Sequence, residues 1–425
     1  MQATLRFVEH ARTIGTLSAD VEIAAKTCVL DWLGCALAGS REPLSEILAA
    51  EVDPGDATLI GRDATASMSS AALVNGAASH ALDYDDTHLV MSGHPSVPVV
   101  PALLALAERE RSSGAAFLRA FVAGVETECR VGALLNPSHY ARGFHATATV
   151  GTFGAAAACC HLLGVSQDRW SHAFGIAGTQ AAGLKSVFGT MSKPLHAGTA
   201  SRNGLLAATL AARGFTSDVD ILDSAQGFAD THADGTDGSA IDRYEDRWLV
   251  RETVFKYHAA CYLTHSAIEA TLRLGASSAD AIGVAVPRGH LAVCNIAEPT
   301  TGLEGKFSLR ATVAMAMLGD DTADPAAYTD ERMASPELVA LRDKVTIVTD
   351  DSLIPTGARV TIDGRSETVD VGRPASDLEE QWDKLAAKFT RLATPVVGED
   401  SARKLVDVVR SIDGADDVTE LLALV

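Results

Sequence analysis

The stretch His80-Ala81-Leu82-Asp83-Tyr84-Asp85-Asp86-Thr87-His88, continued by Gly93-His94-Pro95, packs more ionisable chemistry into a few residues than any other part of the chain. It follows a run of small residues, Ser69 to Ala78, that predicts a tightly packed helix. If that helix continues, His80, Asp83, Tyr84 and Thr87 share one face, while Asp85, Asp86 and His88 fall on others. Three carboxylates this close repel one another, so at least one is expected to have a raised pKa unless cations or donors compensate. Pro95, Pro98 and Pro101 are expected to break and restart the chain, leaving His94 on a loop over the helix end. Three readings follow: a charged, solvated helix terminus, a metal site, or an acid/base site without metal.

Four other clusters bear on the choice. Gly143-Phe144-His145 stands just before a helix of small residues, where free N–H groups bind anions; a histidine that merely packs the helix start is the plain alternative. Gly189 to Gly198 holds Lys193 beside Pro194 and ahead of another helix, a fixed cation for a carboxylate or else an ordinary surface lysine. Lys256 to His265 lies where the texture of the chain changes, and domain boundaries are usual places for a ligand cleft. Cys261 there is a nucleophile candidate with His258 or His265 as base, although a buried inert cysteine is the default. Thr300 to Arg310 reads as a capped helix start that supplies a basic edge.

The sequence lacks a P-loop, G-x-G-x-x-G, G-x-S-x-G and H-E-x-x-H, so phosphoryl transfer, nucleotide-dependent redox and serine hydrolysis lose their usual signatures. Asp230 to Gly238 opens like an EF-hand loop, but position 12 is Ile241 rather than Glu, and a surface turn is the better reading. The remaining inventory of His, Lys and carboxylates suits proton transfer beside a carboxylate: Lys holds the anion and His moves the proton.

The elements that must position these groups are mostly helices. The chain has 425 residues, 47% apolar and only 5% aromatic, so Ala, Val and Leu build the core and helices can approach closely. The helix opened by Ser18 has an apolar stripe from Val21 to Cys35 and stops at Gly39. Spans 98–111, 115–135, 147–163, 167–182 and 199–213 continue the pattern, and no convincing strand pair appears before about residue 255. Beyond residue 275, strands are predicted at 281–286 and 345–349, with a hairpin turning at Asp363-Gly364. Helices at 306–318 and 335–345 interleave with them. Ser376-Asp377-Leu378-Glu379 reads as a capping box ahead of a helix carrying Trp382, Leu385 and Phe389, and a last helix spans 402–412. The expected fold is mainly α: a large all-α helical domain, residues 1–256 plus 376–425, with a smaller α+β lid domain, residues 257–375.

The net charge of −20 without a segregated basic patch argues against a nucleic-acid partner. Seven cysteines without a C-x-x-C suit a reducing cytoplasm. Residues 1–15 lack the apolar core of a signal peptide, and no run of eighteen apolar residues predicts a membrane span.

Taken together, five clusters in order resemble the MmgE/PrpD family: Ala81 to Thr87 with Gly93-His94-Pro95, Gly143-Phe144-His145, Gly189 to His196 with Gly198, Lys256 to His265, and Thr301 to Ser308. The resemblance spans nearly the whole chain. It implies 2-methylcitrate dehydratase, cis-aconitate decarboxylase or iminodisuccinate epimerase chemistry, a homodimer, no cofactor and no metal, with an active site between the domains. Decarboxylase-type site residues map onto Asp83, Thr87, His94, His145, Lys193 and Lys256. Cys261 and Ala311 stand where that branch carries His and Tyr, which puts decarboxylation of cis-aconitate in doubt.

The resulting expectation is a cofactor-independent hydro-lyase acting on a small di- or tricarboxylate, with His94, His145, Asp83 and Lys193 catalytic. Thr87, Lys256, Cys261 and His265 are the expected substrate-binding residues. A dicarboxylate epimerase is the near alternative, and a metal-dependent enzyme built on Asp83, Asp85, Asp86 and His88 is the alternative of another class.

Overall fold

Small side chains set the architecture, because they let helices cross at short range. In the computed structural model, which describes residues 3–425, the helix Met68–His80 meets the helix Ser192–Ala212 at two glycines. A Cβ built on Gly76 would lie 2.7 Å from the Cα of Gly198, so neither position accepts a side chain. This contact brings the end of one helix, carrying His80, beside the start of the other, carrying Lys193. Helices Ser96–Glu110 and Ala146–Leu162 pack against them, Gly114–Leu135 packs on Ala146–Leu162 from the other side, and Ala19–Gly39 is buried along most of its length.

The C-terminal helices return to this core. Trp382, Leu385 and Phe389 of Leu378–Val397, with Leu405 and Val409 of Glu399–Arg410, belong to the same hydrophobic cluster as Trp32 and Leu33. Leu392 instead joins the second cluster, which contains Val284, Phe307, Met315 and Val360.

That second cluster lines a four-stranded sheet in the order Val345–Thr349, Ile282–Val286, Gly357–Ile362, Arg365–Asp370. The first pair is parallel, with Ile282 opposite Val345; the others are antiparallel. The hairpin closes as its sequence requires: Ile362 faces Arg365, and Asp363 and Gly364 take φ of 47° and 84°, as a type I′ turn needs. Helices Tyr262–Leu274 and Leu309–Leu318 complete this mainly α fold with its smaller α+β part.

The structure departs from expectation in several places. The first-domain helix does not run through Asp83; it ends at His80, and Asp83 takes a left-handed φ of 51°. The helix expected from Thr199 begins at Ser192, because Pro194 in a first turn costs no intrahelical bond. Pro98 and Pro101 lie inside the helix that starts at Ser96 rather than breaking it. A two-residue ladder pairs Ala57–Thr58 with Thr65–Ala66, where none was expected. Asp377, not Ser376, caps its helix, accepting from the N–H groups of Glu379 and Glu380. The capping box is formed by Thr301 and Glu304. Met1, Gln2 and the side chain of Ile241, position 12 of the EF-hand comparison, lie outside the described residues.

Candidate active site

The loop after His80 is tied down by buried lysines. The carbonyl oxygens of three consecutive residues each accept from a different ammonium: Leu82 from Lys306 at 3.0 Å, Asp83 from Lys256 at 2.6 Å and Tyr84 from Lys388 at 2.7 Å. These lysines come from three separate segments of the chain, each far from the loop in sequence. Lys388 also donates to Asp31 Oδ1 at 2.7 Å and to the Lys256 carbonyl at 3.0 Å, so all three of its N–H groups are used. Burial disfavours its charge, but the Asp31 carboxylate outweighs this and raises its pKa.

Asp83 is the electrostatic centre. Its Oδ1 accepts from both Lys193 and Lys256 at 2.7 Å. Burial would raise the Asp83 pKa, but these two ammoniums hold it well below the usual carboxylate range. Lys256 is raised in turn: burial opposes its charge, and Asp83 and Asp85 more than compensate. The strain at Asp83 is the backbone cost of aiming its carboxylate between the lysines.

Three imidazoles stand in a row beside it. His80 lies 4.6 Å from His94 and 5.9 Å from His145, ring centre to ring centre. Asp85 orients the first two: His80 Nδ1 lies 2.9 Å from its Oδ1, and His94 Nδ1 lies 3.0 Å from its Oδ2. His94 Nδ1 is also 2.7 Å from the Asp86 carbonyl. Both neighbours of that nitrogen are acceptors, so Nδ1 carries a hydrogen, while Nε2 lies 3.8 Å from Asp83 Oδ1. Burial pushes His80 down to about 4 against the pull of Asp85. Burial, His80 and Lys193 keep His145 neutral. Among the clustered carboxylates Asp86 is the one with the raised pKa, about 8, through burial and Asp31; Asp83 and Asp85 are compensated by cations and donors.

A cavity of about 840 Å³ opens over this floor, between the helical part and the loops of the sheet part. Asp83, Thr87, His94, His145, Lys193, Lys256 and Cys261 all line it. Thr87 Oγ1 and His145 Nε2 are buried without a hydrogen-bond partner among the described residues. His265 is not among the lining residues: on the first turn of its helix it points inward, Nε2 against the Ala260 carbonyl at 3.2 Å and its ring edge-on to His258. The substrate-binding role expected for it is therefore corrected to a packing role. His88 also serves the scaffold, through the Leu249 carbonyl at 2.8 Å.

A divalent ion is the competing use of this floor, since His80, Asp83, Asp85 and His94 offer ligand atoms within 4.8 Å of one another. The donor set fits an ion poorly. Asp83 Oδ1 already takes two ammoniums, and both Asp85 oxygens take imidazole nitrogens. An ion bound there would sit against two positive charges. Asp86, expected in such a set, points away and accepts from Ser96 instead.

Residues 5–240 match the MmgE/PrpD N-terminal domain, and residues 258–414 match the MmgE/PrpD C-terminal domain. The chain belongs to the MmgE/PrpD family. The cis-aconitate decarboxylase-like protein oryM of Aspergillus oryzae is 30% identical, with 96% of this chain and 94% of the relative covered. The cis-aconitate decarboxylases of Aspergillus terreus and Homo sapiens are each 28% identical, covering 96% and 98% of this chain and 92% of each relative. The match to the C-terminal domain begins just past Lys256, so the cavity lies where the two family domains meet.

Several residues of the site had no sequence signal of their own. Lys388 acts on backbone carbonyls and Asp31 accepts from it, and a lysine that will bond a carbonyl looks like any other lysine. Asp85 was legible as a carboxylate but not as the partner of two imidazoles, because the loop reverses the faces a helix would give.

Proposed function

We propose that this MmgE/PrpD protein is a lyase that acts on a small di- or tricarboxylate by removing the proton next to a carboxylate, with dehydration as its reaction and no cofactor. The observation that carries the reading is the cavity floor. Lys193 keeps two N–H groups beyond the one given to Asp83, beside two imidazoles whose Nε2 atoms are uncommitted.

In this reading Lys193 anchors a substrate carboxylate and Lys256, tied twice to Asp83, sets the local positive field. His94 takes or gives a proton at Nε2, with Asp85 stabilising the imidazolium through Nδ1–H. His145 is the second acid/base group, and Thr87 Oγ1 is a free donor for a hydroxyl or carboxylate oxygen. A base and an acid beside one carbon eliminate water when a β-hydroxyl is present. Without a leaving group the same pair inverts the carbon, which supports the epimerase as second reading. Cys261, on the cavity wall where the decarboxylase pattern has His, favours these two over decarboxylation. The resemblance carries a homodimer as well, which light scattering checks.

Proton NMR in D₂O with 2-methylcitrate, citrate, cis-aconitate, malate and iminodisuccinate in turn tests the reading. A new vinyl signal from a hydroxy acid supports the hydro-lyase. Deuterium next to a carboxylate without net loss of substrate supports the epimerase. Loss of carbon dioxide from cis-aconitate, or inertness toward every acid, would overturn the proposal.

A further inference from the structure

His145 is not alone at the cavity wall. Its Nδ1 lies 3.1 Å from Nδ1 of His196, a residue of the helix Ser192–Ala212. The two rings are 5.4 Å apart and tilted by 48°. His196 stands one helical turn beyond Lys193 and is half-buried, whereas His145 is closed off from solvent on all sides but the cavity. The approach is built in. The chain at Phe144 bridges to Leu184, and the His145 N–H donates to the Gly183 carbonyl at 3.0 Å. Gly183 takes a φ of 153°, and a Cβ there would lie 2.6 Å from the Ala148 Cβ and 3.3 Å from His196 Nδ1.

Two facing ring nitrogens share one hydrogen, so the tautomer of His145 is set by His196 and the reverse. We propose that His196 is a relay residue that passes protons between Nδ1 of His145 and solvent, and so lets His145 shed its charge after taking the substrate proton and turn from base into acid. The proposal rests on the reading that His145 moves a proton at a carbon next to a carboxylate.

The step balances without any co-reactant. His145 begins with hydrogen on Nδ1 and takes the substrate proton on Nε2. The resulting imidazolium is disfavoured by burial and by Lys193, so its Nδ1 hydrogen moves to Nδ1 of His196. His196 releases its Nε2 hydrogen to water at the exposed side. Both rings end neutral with exchanged tautomers, and His145 now carries the hydrogen on Nε2 as an acid. Donation of that hydrogen and the reverse passage restore the start.

The test compares wild type with His196→Gln, and with His196→Asn should the first variant lose its native far-UV CD spectrum. Gln and Asn can hold a hydrogen bond to His145 but cannot carry a proton through. For a substrate that turns over, kcat is measured across mixtures of H₂O and D₂O. The relay predicts a curved dependence of kcat on the deuterium fraction in wild type, because several protons move in one step, and a several-fold lower kcat with a straight dependence in the variant. A variant with lower kcat but the same curvature would overturn the relay and leave His196 a support for the ring. Absence of turnover and exchange in wild type would overturn the reading beneath it. A readout independent of substrate is the imidazole N–H resonance of ¹⁵N-histidine protein. The relay requires a sheltered resonance lost in both His145→Ala and His196→Ala, which leave the other ring without a partner, and its presence in either variant would contradict the pairing.

Discussion

Replacing Asp83 by Asn separates charge from shape. Asn adopts the left-handed conformation about as readily as Asp, so the φ of 51° costs little extra in the variant. What is lost is the one carboxylate oxygen that two ammoniums share at 2.7 Å, with Lys256 fully buried and Lys193 nearly so. Removing one partner of a buried ion pair costs about 3–5 kcal/mol, and two cations left facing each other place this case at the upper end. The sign with pH follows. The depressed pKa of Asp83 contributes stability that is present above its unfolded value, near 4, and lost as pH falls toward the folded one. The raised pKa of Lys256 contributes stability that is present below its unfolded value, near 10.4, and lost as pH rises through the folded one. Guanidinium denaturation of both proteins, followed by far-UV CD, should therefore show the variant destabilised most between about pH 5 and pH 9, with the gap closing at both ends. A difference below about 1 kcal/mol at neutral pH, the scale of a surface ion pair, would refute the account of Asp83 as the site's electrostatic centre.

Three further outcomes are expected. Lys388→Met should lose stability and activity together, while Asp31→Leu/Lys388→Met should recover stability to within about 1–2 kcal/mol, because a buried pair can be replaced by apolar groups, but not activity; recovered activity would show that the contact to the Tyr84 carbonyl is dispensable. Asp86 has its pKa raised to about 8, so it costs stability progressively as pH rises from about 4 to about 8, and Asp86→Asn should flatten a slope of up to about 1.4 kcal/mol per pH unit; an unchanged slope in urea titrations would contradict this. Of the seven cysteines, Cys261 lines the cavity and has its thiol pKa lowered, first by the neighbouring Cys294, so iodoacetamide should label it first and a bound carboxylate should protect it; peptide mapping that finds another cysteine labelled first would refute the assignment.

The residues that carry charge into the cavity were legible from sequence because their types are costly to bury without use. Asp83, Thr87, His94, His145, Lys193, Lys256 and Cys261 stand in sequence clusters separated by as many as 178 positions, and the fold brings them to one cavity. The hairpin was equally readable, since Asp-Gly between alternating strands has one favourable closure. The course of the chain after His80 was not. Helical spacing predicted a shared face, but the ammoniums of Lys256, Lys306 and Lys388 take the carbonyls of residues 82–84 and hold a turn instead. Those partners lie more than 170 residues away, beyond the reach of any local pattern. His265 failed for the opposite reason: its motif placed it near the cavity, and helix phase turned it inward.

The central claim is that imidazole moves the proton while the lysine-bound floor holds the carboxylate, and His94→Ala tests it most directly. Initial rates would be measured on the substrate that the NMR panel identifies, with wild type and variant both treated with EDTA. The account predicts a fall in kcat of about 10²–10⁴ with KM changed only a few-fold, because the lysine anchors remain. An unchanged kcat, or activity in wild type that vanishes with EDTA and returns with a divalent metal, would contradict it.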